Sequence, residues 1–176
     1  NEPHTMSMQE PVISVGVVER VPEIRGVFHG QFEVPTTVRL KGEFTVRYLD
    51  GRLVLYDDES IEVMKGEDIR CRPFSGATFT LNGVTIGINF HWERKEDQTF
   101  EGNIRFVAAA DGSITAINEI GVEEYLKSVI SSEMSAEAPF ELLRAHAITS
   151  RSWLVAMLNK QMQASKIGIP ALRSRE

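Results

Sequence analysis

The stretch IRFVAAADGSITAINEIGVEEYLKSVISSEM, residues 104–134, changes its periodicity part-way along, and that change sets the fold class. Up to Asn118 the apolar residues alternate around a turn signal at Asp111-Gly112. A period of two puts every second side chain on one face of a sheet. From about residue 121 the spacing becomes helical: Leu126, Val129, Ile130 and Glu133 recur at i, i+3, i+4 and i+7. Glu123 and Glu124 fall in the first turn of that helix, where the macrodipole favours anions.

Upstream of this stretch, residues 12 to about 118 read as β. FTVRYLDGRLVLY (44–56) alternates and turns at Asp50-Gly51, and ATFTLNGVTIGINF (77–90) repeats the device at Asn82-Gly83. Asn-Gly and Asp-Gly between alternating apolar residues signal tight hairpins, because both central residues of such turns need positive φ. Three of them predict an antiparallel region, with Pro22, Pro35 and Pro73 at strand ends or edges. Downstream, Pro139 suits the first position of a second helix, over 139–162. Its apolar stripe is Leu143, Ala147, Ser150, Leu154, Met157 and Leu158. Strands first and helices after make the class α+β. The chain divides into a leader (1–11), a β-rich region (12–118), a helical region (119–162) and a tail (163–176).

Composition narrows the function. The 176 residues are 42% hydrophobic and 25% charged, the balance of a globular protein. A net charge of −6 argues against a nonspecific nucleic-acid or anionic-membrane binder, since both need a basic footprint. No apolar run approaches the roughly 20 residues that span a bilayer. Cys71 is the one cysteine, so the chain carries no internal disulfide framework or Cys-based zinc module, and the thiol reads as inert packing. The opening NEPHTMSMQEP is polar, without the apolar core of a signal peptide. The close, SKIGIPALRSRE, has no packing pattern, as though a further element followed.

Glu133 is the residue of interest. A carboxylate in line with a core stripe is desolvated, which raises its pKa towards the range of a general acid. Such an acid can protonate a leaving-group oxygen in glycosidic cleavage. The plainer reading, which periodicity alone favours, is that Glu133 ends its helix and turns to solvent or caps backbone amides. His146 and Ser150 stand at i, i+4 like a base and its nucleophile, but no acid is placed to orient the imidazole. A structural histidine is the better reading, and no second His or Cys at ligand spacing supports a metal site on this helix. Arg144 and Arg151, seven apart, share a helix face, which suits either forked bonds to an anionic or polar substrate or a solvated surface. In INFHWERKEDQTFEG (88–102), Ile86, Ile88, Phe90 and Trp92 share one strand face and His91 and Glu93 the other, so Trp92 reads as core rather than a sugar-stacking platform.

The residues 118–153, NEIGVEEYLKSVISSEMSAEAPFELLRAHAITSRSW, resemble the signature of the stage II sporulation protein D family (SpoIID, with the amidase-enhancer relatives called LytB). The matching positions are Asn118, Glu123, Glu124, Tyr125, Leu126, Ser132, Glu133, Met134, Pro139, Arg144, Ala145, His146, Ala147 and Arg151. FEGNIRF (100–106) looks like the strand that precedes this helix pair in the family. The resemblance implies a lytic transglycosylase, acting outside the cytoplasm on peptidoglycan glycan strands that an amidase has stripped of stem peptides. It implies Glu133 as the catalytic acid and base, with Tyr125, Ser132, Arg144, His146 and Arg151 on the substrate. It implies no cofactor for the cycle, although some members carry a Cys/His metal site further along. Two departures stand out: His146 replaces the usual Gln, and Ser152-Trp153 a Thr-Tyr type pair. The family continues well beyond this helix pair, so the chain is expected to be the N-terminal portion of a family domain. A different class of function is a non-catalytic module that binds the wall and enhances an amidase.

Overall fold

A computed structural model describes residues 10–35, 38–86, 91, 93–134 and 138–166, and for residues 86, 132, 133 and 161–166 the course of the backbone alone. The chain forms two compact units, Asn1–Val122 and Glu123–Glu176. Among its described residues the first holds ten strands: β1 (Val12–Val21), β2 (Glu23–Val34), β3 (Val38–Leu49), β4 (Arg52–Tyr56), β5 (Glu62–Gly66), β6 (Asp68–Pro73), β7 (Thr78–Ile86), β8 (Arg94–Phe100), β9 (Asn103–Ala108) and β10 (Ile114–Gly121). Two helices follow, α1 (Val122–Glu133) and α2 (Phe140–Lys166). The class is α+β, with strands first and helices after, as the change of period predicts.

The strands pair antiparallel in the order β1-β10-β9-β6-β2-β3-β4-β5, with β7 on β2 and β8 on β7. β2 serves three neighbours because its ladder with β3 breaks between Phe28 and Phe32. Gly26–His29 pair with β7 and Phe32–Glu33 with β6. A bulge of this kind bends a strand and lets its two halves find different partners. The break holds Gly30 at φ 113°, and a Cβ there would lie 2.7 Å from that of Ala77.

Alternation then builds the core. Phe28 stacks on Phe32 and Phe44 with ring centroids 4.4 and 4.2 Å apart, and Phe44 reaches Phe106 at 5.8 Å. Gly26 faces Phe44 across the β2–β3 ladder, and its missing side chain makes room for that ring. Cys71 is fully buried in this cluster, and burial pushes its thiol pKa up to about 12. A thiol so placed is inert packing.

The turns correct part of the hairpin reading. Asp50-Gly51 joins β3 to β4 with both residues at positive φ, 50° and 81°, as a two-residue hairpin requires. Asp111-Gly112 also closes a hairpin, β9 to β10, but only Gly112 has positive φ. There the loop is a three-residue one, with Gly112 N–H donating to the Ala109 carbonyl at 2.9 Å. Asn82-Gly83 is not a turn at all. β7 runs straight through it, and the two residues bulge opposite Asp97 of β8, whose Oδ1 accepts the Gly83 N–H at 2.8 Å. The same positive φ that a turn wants from glycine, 65° here, also serves a bulge. Pro22, Pro35 and Pro73 do sit at strand ends. Ile88, Phe90 and Trp92 lie outside the described residues, while His91 and Glu93 are exposed.

Candidate active site

The segment that carries the motif begins on β10. Ile114, Ala116, Asn118 and Ile120 form its inward row, and Asn118 is the one polar residue among them, 4% exposed. Its Nδ2 donates to the carbonyls of Glu101 (2.7 Å) and Asn103 (3.0 Å). Those carbonyls flank Gly102, which connects β8 to β9 at φ 87° and sits so close to Glu119 that a Cβ would meet its carbonyl at 2.5 Å. Asn118 therefore satisfies backbone groups that a tight connection leaves unpaired, a structural role that the family pattern does not reveal. The signal was present, since a lone Asn in phase with inward apolar residues has to find partners.

α1 follows β10 without a loop, its first N–H (Val122) donating to the Pro11 carbonyl at 3.0 Å. The predicted stripe is real: Leu126 is buried and Val129 and Ile130 half-buried, while Lys127 and Ser128 are exposed. Tyr125 is half-buried. Glu133 is the last residue of α1, and its last turn carries no basic residue. The side chains of Ser132 and Glu133 lie outside the described residues, so the choice between an inward and a solvent-facing Glu133 rests on sequence.

α2 starts directly after Pro139, whose carbonyl accepts the N–H groups of Leu142 (2.9 Å) and Leu143 (3.1 Å). Pro139 thus sits one residue before the helix rather than at its first position. α2 extends to Lys166, four residues past the predicted end. The stripe residues Leu143, Ala147, Ser150, Met157 and Leu158 are half-buried and Leu154 is buried. His146 is half-buried on the same side.

The two arginines differ. Arg151 is forked onto Glu123 of α1, Nε to Oε1 at 3.0 Å and Nη2 to Oε2 at 2.6 Å. This pairing holds the Glu123 carboxyl below its usual pKa and raises that of the guanidinium. Arg144 is exposed and forms no ion pair with a described residue. Sequence reasoning placed Glu123 only at the helix start and missed it as the partner of Arg151. An acidic pair in one motif helix and an arginine in the next were the available hint. Among the described residues no three His, Cys, Asp or Glu side chains stand together as a metal site. No helix of the described residues is long and apolar enough to cross a membrane.

Comparison with known proteins places these observations. Residues 110–172 match the model of the family described as SpoIID, Stage II sporulation protein. An uncharacterized protein of Brachyspira hyodysenteriae (strain ATCC 49526 / WA1) is 32% identical over 89 residues, which cover 51% of this chain and 20% of that protein. The chain therefore spans about a fifth of the relative's length. No solved structure matches the chain.

Proposed function

We propose, from the match of residues 110–172 to the SpoIID family, that the chain belongs to an exported peptidoglycan-processing protein with lytic transglycosylase chemistry at Glu133. The observation that carries this reading is Ser132-Glu133-Met134 at the end of α1, followed by the Pro139-initiated helix, inside the matched segment. The partial negative charge at a helix C-terminus favours the protonated form of a carboxyl placed there. That is the form a general acid needs.

Protonated Glu133 donates its proton to the oxygen linking N-acetylmuramic acid to N-acetylglucosamine, and the bond to that oxygen breaks. The acetamide oxygen of the substrate itself stabilises the cationic carbon, so no second carboxylate is needed. Anionic Glu133 then takes the proton of the sugar's 6-hydroxyl, whose oxygen closes the 1,6-anhydro ring. One carboxyl serves as acid and then base, and returns protonated. Its place of action is the cell-wall side of the membrane, and its substrate the glycan strand left by an amidase.

The test uses the full-length protein with denuded glycan strands, read by mass spectrometry for 1,6-anhydromuramyl ends. Glu133→Gln is expected to lower product formation by about 10²–10⁴-fold, the usual worth of a general acid–base group. Equal products from both proteins, or none from either, would overturn the catalytic reading. Intact enhancement of an amidase in Glu133→Gln, with binding to sacculi lost in Arg144→Ala, would instead assign a non-catalytic wall-binding module.

A further inference from the structure

The family-matched helices contain two arginines on one face, and among the described residues only Arg151 has its guanidinium engaged by a carboxylate. Both oxygens of Glu123 meet two nitrogens of Arg151, at 2.6 and 3.0 Å. A fork of this kind fixes direction as well as distance, which a single-point ion pair does not. Glu124, the other member of the acidic pair, has a different duty. It accepts from Lys127 of its own helix at 2.6 Å, one turn away. Of these adjacent glutamates, Glu124 thus holds a contact within α1 and Glu123 one across to α2.

The apolar pattern of α2 leaves this link a task. The helix is apolar on two sides, with Leu143, Ala147, Leu154 and Met157 on the covered side and Leu142, Ile148, Trp153 and Val155 exposed. An apolar stripe sets the rotation of a helix only when the opposite face is polar. In the helical unit Leu126 and Leu154 are the buried residues among those described. Each lies three positions after a clamp residue, Leu126 after Glu123 and Leu154 after Arg151. The fork therefore stands one turn from the buried leucine on each helix, where it can select one rotation of α2 against α1.

We propose that Glu123 is a positioning residue, which takes the Arg151 guanidinium as a helix-to-helix clamp and leaves Arg144 as the basic residue of α2 that meets the sugar strand. Its consequence for catalysis rests on the transglycosylase reading of Glu133. Arg151 sets which way Arg144, two turns earlier on the same face, is presented. The substrate then meets one arginine and not two.

The experiment is a charge-swap cycle in the full-length protein: Glu123→Arg, Arg151→Glu and the double exchange, with Arg144→Ala beside them. Anhydro-product kinetics and thermal unfolding are both followed. Each single reversal is expected to lower kcat/KM by at least about tenfold, and the double exchange to recover to within about threefold of the parent. Arg144→Ala is expected to raise KM with little change in kcat or unfolding temperature. A double exchange no better than Arg151→Glu alone would overturn the proposal, since an arginine needed by the substrate cannot be replaced by glutamate. Glu123→Gln, which keeps size and shape but removes the charge, and Arg151→Lys, which keeps the charge but removes the fork, test the same coupling should a reversal prevent folding, each expected to lower kcat/KM. If the parent protein cleaves no glycan, the transglycosylase reading fails separately. The clamp is then judged by whether the two reversals compensate each other in thermal unfolding.

Discussion

The β unit and the helical unit are held together in different ways. The first is closed around an aromatic cluster of Phe28, Phe32, Phe44, Phe79 and Phe106, with strands paired along the sheet and buried polar groups such as Asn118 satisfied. The second, among its described residues, buries two leucines and keeps its motif arginines at the surface. A unit with so little apolar burial draws its geometry from a few specific contacts, and polar side chains stay available for a ligand. The difference teaches that the motif helices depend on directional contacts, the Glu123–Arg151 fork among them, where the β unit depends on packed volume.

The largest effect that could break this contrast is expected at Phe28. Phe28→Ala should cost about 3–5 kcal/mol in urea unfolding, because the ring is enclosed by two stacked neighbours and leaves a cavity. A cost under about 1 kcal/mol would mean that the β core is not where the stability lies. Leu154→Ala should cost less, about 2 kcal/mol, since a thinly packed surrounding can collapse into the space. Hydrogen exchange should quicken in residues 122–160 and stay unchanged in β2 and β3. If β-strand amides loosen equally, the two units are one cooperative body.

The smallest effect is expected from acid. The Arg105 guanidinium forks onto Asp68 across β6 and β9 and holds that carboxyl below its usual pKa of 3.8. A carboxyl lowered on folding stabilises the native state above its unfolded pKa, and that contribution is lost as pH falls from there through the depressed folded value. Unfolding midpoints measured from pH 6 down to pH 2 should converge between the parent and Asp68→Asn at the acid end. Because the pair is partly exposed, the difference at neutral pH should stay under about 1 kcal/mol. A gap that persists at the lowest pH would show that Asp68 contributes by shape rather than charge.

Particular residues show how far the sequence could be read. Alternation and the helical spacing of Leu126, Val129 and Ile130 marked the two regions, because burial on a sheet face and on a helix stripe imposes different periods. The α2 stripe was legible to the residue for the same reason. Asp50-Gly51 behaved as its dipeptide suggests, but Asn82-Gly83 did not. The dipeptide signals positive φ, and whether that becomes a turn or a bulge depends on where the partner strand lies. Glu123 was legible as a helix-start acid and not as a partner, since an ion pair between residues 28 apart in sequence leaves no period to read. For Glu133 the sequence placed the residue near the end of a helix, and the backbone ends α1 there.

What the sequence determined by itself was local: the periods, the glycine positions that need unusual backbone, the Pro139 start and the order of residues around Glu133. Tertiary structure decided what depends on distant neighbours. It split β2 between β6 and β7, turned a hairpin signal into a bulge, set Asn118 on two carbonyls and closed Arg151 onto Glu123. The reason is physical: periodicity and φ preference belong to a residue and its near neighbours, whereas hydrogen-bond satisfaction and ion pairing belong to whichever groups the fold brings within about 3 Å.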